Sequence, residues 1–149
     1  MKKICFVLML VLCTTIAHAN NGVLGYWKTI DDETGEAKSI VRVYEYQGRV
    51  YGRVVKVLTD PSAKAKLPDE PLIEGLDIVW DLTADGEKYK GGEILDPKKG
   101  KVYGCEMWRE GDNLIVRGKI AFLGRNQTWL PSTELTDNTP IEPKKPRLK

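Results

Sequence analysis

The sequence has few of the residue types that carry most enzyme chemistry. It contains one histidine, His18, and three cysteines, of which only Cys105 lies beyond residues 1–19. A chain without those first residues has no histidine for a Ser-His-Asp, Cys-His or His-based zinc site. Its single cysteine forms no internal disulfide, so a hydrophobic core has to stabilise the fold. We predict that Cys105 is a small, partly buried side chain on a strand.

Residues 1–19 have the pattern of a secretory signal peptide. Lys2–Lys3 precede the apolar run Ile4–Ile16, and Ala17 and Ala19 are the small residues that signal peptidase accepts. A membrane-spanning helix needs about 20 apolar residues, and this run is shorter. We therefore predict cleavage after Ala19, a periplasmic or secreted protein, and no transmembrane segment in the mature chain.

The charges of the mature chain are balanced. The signal contains two of the 23 Lys and Arg, which leaves 21 against 21 Asp and Glu. Nucleic-acid binding depends on an excess of positive charge near the phosphates. We expect no nucleic-acid partner.

Short β-branched and aromatic runs alternate with turn residues throughout residues 20–130. Gln47-Gly48 and Asp96-Pro97-Lys98-Lys99-Gly100 are examples of such turns. The predicted strands are Val23–Ile30, Ser39–Tyr46, Arg49–Leu58, Asp77–Leu82, Tyr89–Leu95, Lys101–Arg109, Leu114–Ala121 and Arg125–Leu130. The pattern predicts an all-β fold, an eight-stranded up-and-down antiparallel barrel, because closing a long meander removes its unpaired edges. A two-sheet sandwich is the alternative.

Two segments interrupt this rhythm. Residues 59–74 contain three prolines among charged residues and predict a long loop. Residues 131–149 contain four prolines and end in a basic run, a composition that predicts a flexible tail without packing contacts. The domain organisation is therefore a signal peptide at 1–19, a barrel at 20–130 and a tail at 131–149. The sequence assigns no role to the loop or to the tail.

The first strand contains Gly25-Tyr26-Trp27, which resembles the Gly-x-Trp signature of the lipocalins. In those barrels the tryptophan closes one end and stacks against an arginine of the last strand. The resemblance implies that Trp27 and Arg125 form this closure here, through a cation–π contact of about 0.5–2 kcal/mol.

A longer succession of motifs is similar to the bacterial family called domain of unknown function 2147. The motifs are Gly91-Gly92-Glu93-Ile94-Leu95-Asp96-Pro97, Gly100-Lys101-Val102-Tyr103, Leu114-Ile115-Val116-Arg117-Gly118 and Leu123-Gly124-Arg125-Asn126-Gln127-Thr128-Trp129. The resemblance implies an exported, lipocalin-like domain without an established reaction, and it identifies no catalytic residues. Leu95 departs from the family, which often has an aromatic residue there, and the tail extends beyond the family's pattern.

The acidic residues have structural explanations. Glycoside hydrolysis by two of Glu93, Asp96, Asp77 and Asp81 requires a cleft with converging acids, whereas Asp before Pro is typical of a turn. The run Asp31-Asp32-Glu33 lacks the spacing of a calcium loop and is predicted to form a turn. We expect no enzyme, no cofactor and no metal, and a hydrolase is the least favoured reading.

Arginines and aromatic residues within the strands suggest a ligand pocket. An inward arginine among aromatic walls would bind the head group of a small apolar or amphipathic ligand. The candidate ligand-binding residues are Arg42, Arg53, Arg117, Tyr44, Tyr51, Tyr103, Trp80 and Trp108. Small barrels are also found filled by side chains, and these arginines would then lie outside. The alternative function is a non-catalytic structural or protein-interaction module at the cell envelope.

Export is tested by the start of the mature chain. We expect N-terminal sequencing of protein recovered from the envelope or medium to begin at Asn20, because signal peptidase cleaves after Ala19. Recovery of soluble cytoplasmic protein with Met1 intact would contradict this prediction.

Overall fold

The structure is a computed structural model that describes residues 22–149, and the predicted signal peptide at 1–19 lies outside this range. The described chain contains eight strands and no helix. The strands are β1 (Gly25–Ile30), β2 (Ala37–Tyr46), β3 (Arg49–Val57), β4 (Asp77–Asp85), β5 (Lys88–Asp96), β6 (Lys101–Glu110), β7 (Asn113–Ile120) and β8 (Leu123–Pro131). A search of residues 22–149 for a helix able to cross a membrane finds none.

Each strand pairs antiparallel with its neighbour in the chain, and β8 pairs with β1 to close a barrel. This confirms the predicted eight-stranded up-and-down barrel and rules out the two-sheet sandwich. The tight β2–β3 turn is also confirmed: Gln47 and Gly48 both have positive φ, 48° and 77°, and Tyr46 pairs with Arg49 on either side. Two consecutive positive φ angles match the right-handed twist of the strands that they join.

The barrel interior is identified by the cross-strand pairs, since paired residues share one face of a sheet. Trp27 pairs with Val41, and Val41 pairs with Val54. Other fully buried residues on this face are Val79, Cys105, Met107, Leu114, Val116 and Trp129. These side chains fill the barrel on the side of Trp27. Burial raises the pKa of the Cys105 thiol to about 12, so it remains a neutral, unreactive core residue.

Trp27 closes one end of the barrel together with the N-terminal segment. Its indole Nε1 donates to the Val23 carbonyl at 2.9 Å. The Arg109 guanidinium lies 5.1 Å from the centre of the Trp27 ring and donates to the Gly22 carbonyl at 2.7 Å. The contact is thus a cation–π pair with an arginine of β6.

The prediction that Arg125 stacks on Trp27 is wrong. Strand β8 meets β1 at Trp27–Pro131 and Lys28–Leu130, so Arg125 lies roughly 20 Å along the strand from that contact at about 3.4 Å per residue. It instead forms an exposed ion pair with Asp32 at 2.7 Å. The arginine that stacks on Trp27 therefore comes from β6, because the antiparallel order places the end of β6 and the start of β1 at the same end of the barrel.

The two irregular segments both pack against the barrel. The segment between β3 and β4, which contains the predicted loop at 59–74, buries Ala65, Leu67 and Ile73 in the hydrophobic cluster. Residues 132–149 form no strand. Their composition predicts a tail without packing contacts, and this is wrong, because Ile141 packs against the same cluster. The tail therefore lies along the outside of the barrel as extended chain.

Strand β5 crosses β4 very closely at Gly92. A methyl group at this position would lie 2.3 Å from the Trp80 carbonyl oxygen and 2.8 Å from the Leu82 nitrogen. Backbone atoms move less easily than side-chain ends, so we expect Gly92→Ala to lower the free energy of unfolding by about 1–3 kcal/mol, as overpacking typically does. Urea denaturation measures this change.

The matched control is Gly104→Ala on β6, where the nearest atoms to an added methyl group are 3.6 Å away, an ordinary contact. We expect a much smaller loss for this variant. Equal unfolding midpoints for the two variants would contradict the close approach of β5 to β4.

Candidate ligand-binding site

A cavity of about 510 Å³ lies between the outer face of β1–β2 and the tail. Its walls are Leu24, Gly25, Tyr26, Arg42, Val43, Tyr44, Glu45, Tyr46, Asn138, Pro140, Ile141 and Glu142. The strands supply aromatic rings and a guanidinium, and the tail supplies the opposite wall. The cavity therefore exists only because the tail follows the barrel surface.

The alternation along β2 explains why these side chains face outward. Val41 and Val43 are completely buried in the core. Successive side chains of a strand point to opposite faces, so Arg42 and Tyr44, each next to one of these valines, point to the outer face. The pairs Arg42–Arg53 and Tyr44–Tyr51 continue this outer face onto β3. The Tyr44 and Tyr51 rings stack with their centroids 5.6 Å apart.

The candidate residues are thus not gathered inside the barrel. Arg42 and Tyr44 line the outer cavity, and Tyr51 and Arg53 lie beside them on the same face. The remaining four lie away from the cavity. Trp80 is buried in the core cluster, Tyr103 shares the inner face with Ile94, Trp108 lies beneath the Lys88 ammonium, and Arg117 lies over Gly124.

Asp77 is the centre of the contact between barrel and tail. Its carboxylate is completely buried and accepts two hydrogen bonds from Arg53, both of 3.0 Å, in a bidentate pair. It also accepts hydrogen bonds from the Tyr44 hydroxyl at 3.0 Å and from the backbone N–H of Lys144 at 2.5 Å. Burial, together with the nearby Asp77 charge, raises the pKa of Tyr44 well above its ordinary value, so its hydroxyl remains a donor.

Further contacts hold the tail on either side of Asp77. Arg53 donates to the Glu142 carbonyl at 2.8 Å, and Lys145 forms an ion pair with Asp81. Tyr51 donates to Asp81 at 3.2 Å. Partial burial of Asp81 favours its neutral form, but hydrogen bonds and charges, with Lys145 first, outweigh this effect and lower its pKa. The tail is therefore held by neutral and charged hydrogen bonds together.

Arg42 is the cationic group of the cavity. Its guanidinium lies 5.9 Å from the centre of the Tyr26 ring, and among residues 22–149 no carboxylate lies within ion-pair distance of it. Glu45 is an exposed acid at the rim. The Tyr26 hydroxyl donates to the Asp137 carbonyl of the tail, which holds the ring in place as a wall. Hydrogen bonds within the tail and, to a smaller extent, the Arg42 charge lower the pKa of Asp137, but the Arg42 and Asp137 side chains form no ion pair. An arginine with an aromatic neighbour and no directly bound carboxylate is suited to an anionic ligand.

The acids considered for other chemistry have structural partners. Asp31 accepts the backbone N–H groups of Glu33 and Thr34 at 2.9 and 3.0 Å, which confirms the predicted turn. Asp96 accepts those of Lys98 and Lys99 in the same way, at 3.0 and 3.1 Å. Within the described range, no three His, Cys, Asp or Glu residues are grouped as metal ligands.

The closed barrel is shared with a solved structure. Protein HP1028 of the human pathogen Helicobacter pylori, described as a member of the lipocalin family, superposes with a TM-score of 0.62 at 19% identity. The match covers 74% of this chain and 83% of that protein. No curated protein matches the chain. The fold therefore places this chain among the lipocalin-like β-barrels.

A family model identifies the family to which the chain belongs. The model of the family described as "Uncharacterized protein conserved in bacteria (DUF2147)" matches residues 25–130. The chain belongs to this family, as its motifs predict. The match covers every strand except the final residue of β8, and it excludes the tail. One wall of the cavity and the anchors on Asp77 and Asp81 thus come from outside the family match.

Sequence reasoning missed Asp77, Asp81 and Arg109 as structural partners. Asp77 follows an apolar residue and precedes Ile78-Val79-Trp80, and a charge at the start of such a buried run is a signal for an internal ion pair. The contacts of Asp81 and Arg109 depend on the tail and on β1, which are distant in sequence. No local pattern indicates them.

The Asp77–Arg53 pair is tested by removing the cation. We expect Arg53→Ala to lower the free energy of unfolding by about 3–5 kcal/mol, because it leaves a fully buried carboxylate without its partner. The control is Arg49→Ala, which removes an exposed cation 3.5 Å from Asp81 and should cost less than about 1 kcal/mol. Chemical denaturation of both variants measures the difference, and similar losses would contradict the role of Asp77.

Proposed function

We propose that this protein is an exported, non-catalytic binding protein that takes up a small amphipathic anion in the cavity between β1–β2 and the tail. The observation that carries the proposal is the Arg42 guanidinium, which lies in an aromatic-walled cavity and forms no ion pair with a carboxylate of the described chain. A carboxylate or phosphate head group would pair with Arg42, and the apolar part of the ligand would lie against the rings and the tail.

The size and lining of the cavity support this proposal. A volume of about 510 Å³ falls within the range of about 300–1,000 Å³ that is usual for small-molecule sites. Tyr26, Tyr44 and Tyr46 provide flat apolar surfaces, and Pro140 and Ile141 face them from the tail. Arg42 is the one cation in this lining, and Glu45 and Glu142 are exposed acids. Apolar walls with a single cation favour a ligand that has one anionic end.

The fold and the N-terminal pattern give independent support. The lipocalin-like barrel is a rigid scaffold, and such barrels hold small ligands in several families. The charged and apolar pattern of residues 1–19 supports export to the periplasm or beyond. The alternative proposal is a structural or interaction module at the cell envelope.

The role of Arg42 is tested by binding. We expect the mature chain to bind laurate and the fluorescent probe anilinonaphthalene sulfonate, and Arg42→Gln to weaken both about 10- to 100-fold, the effect of losing a charge-assisted hydrogen bond. Calorimetry measures the laurate affinity. The control, Arg49→Gln, removes the same charge from an exposed position outside the cavity lining and should bind as the wild type does.

A second measurement does not depend on a chosen probe. Protein purified natively from the envelope fraction should release a stoichiometric small anion on solvent extraction, detected by mass spectrometry. Repeated recovery of empty protein that binds neither probe, or equal affinities of wild type and Arg42→Gln, would contradict the proposal.

A further inference from the structure

The turn between β7 and β8 exposes the largest group of apolar side chains on the described surface. Ile120, Phe122 and Leu123 are 63%, 89% and 66% exposed, and Ala121 between them is exposed as well. Side chains of this size are normally buried, and a contiguous exposed group of them indicates an interaction site. Neither the barrel core nor the cavity uses these residues.

The tip of the hairpin lies beyond the ladders that join it to its neighbouring strands. Its ladder runs from Leu114–Trp129 to Ile120–Leu123, but the ladder between β6 and β7 reaches only as far as Gly104–Lys119. On the other side, β1 pairs with β8 only near Pro131. The tip at residues 120–123 is therefore paired within the hairpin alone, while β6 continues past Gly104 to Lys101 without pairing to it.

Lysines lie at the end of β6 nearest the tip: continuing the register of the Gly104–Lys119 pair places Lys101 level with Phe122. Lys98 and Lys101 are exposed in and after the β5–β6 turn, next to the start of β6, and neither has an acidic partner among residues 22–149. Lys99 is 3.9 Å from Asp96. The acids at this end of the barrel, Asp31, Asp32, Glu33 and Glu36, belong to the β1–β2 loop on the opposite side of the hairpin, where Asp32 pairs with Arg125.

We propose that the β7–β8 tip inserts into the surface of a lipid bilayer that contains anionic lipids. The tip exposes its apolar side chains at one end of a hairpin, and a bilayer interface provides a soft apolar phase that accepts them without a complementary groove. The lysines would meet anionic head groups at the same depth. The Ile120–Leu123 pair keeps the backbone of these two residues within the hairpin ladder, and insertion only as deep as the head-group region leaves Ala121 and Phe122 near polar partners.

This inference is independent of the cavity. The tip and the lining residues lie on different elements, and the experiment uses no small ligand. The mature full-length chain is floated on density gradients with vesicles of phosphatidylcholine alone and of phosphatidylcholine with phosphatidylglycerol. We expect binding to the anionic vesicles, reduced by added salt because the lysine contribution is screened.

Variants of exposed residues locate the contact. Ile120→Ser/Phe122→Ser should reduce vesicle binding at least tenfold. Leu72→Ser removes a 51% exposed apolar side chain from the loop between β3 and β4 and should leave binding unchanged. Phe122→Trp provides a reporter, and its fluorescence should shift to shorter wavelength with anionic vesicles as the indole enters an apolar phase. Circular dichroism and thermal unfolding establish that each variant is folded.

Three results would overturn the proposal. The wild type does not float with either kind of vesicle, or the double variant binds as well as the wild type. In the third, light scattering shows a concentration-dependent dimer that the double variant loses, while vesicles are not bound. The tip would then be covered by a second copy of the chain.

Discussion

Asp77 is the one charged side chain that folding buries completely within residues 22–149, and the outer face of the barrel is organised around it. A buried carboxylate is unfavourable unless it is paired and hydrogen-bonded. Tyr44 of β2 and Arg53 of β3 donate hydrogen bonds to the carboxylate, and Arg53 also supplies the opposite charge. The backbone N–H of Lys144 in the tail donates a further hydrogen bond. The same carboxylate thus orders two strands and fixes the path of the last residues.

The path of the tail determines where a ligand would bind. Because the tail follows the outer face, Pro140 and Ile141 stand opposite Tyr26 and Arg42, and a shallow sheet surface becomes a cavity. The barrel interior contributes little space on the side of Trp27, where tightly packed side chains fill it. The outer cavity and the exposed β7–β8 tip are separate features, one suited to a small anion and the other to an apolar surface.

The strands were predictable because their information is local. Alternating side chains and turn residues such as Gln47-Gly48 act over a few positions, and the eight predicted strands match the observed ones within about three residues at each end. The site was predictable only in its residue types. Arg42 and Tyr44 belong to the site, but Trp80, Tyr103, Trp108 and Arg117 do not. The alternation of side chains along a strand separates two faces, but it does not indicate which face lies inside the barrel.

The sequence by itself determined the all-β fold, the succession of strands and the family, because these follow from short-range patterns and from motifs in a set order. The pairing of β8 with β1 decided between the closed barrel and a two-sheet sandwich. Only the tertiary structure decided that Arg109 rather than Arg125 covers Trp27, and that the tail packs on Asp77 and Asp81. These contacts join residues that are far apart in the chain. Their formation depends on the pairing register and on burial, which no local pattern specifies.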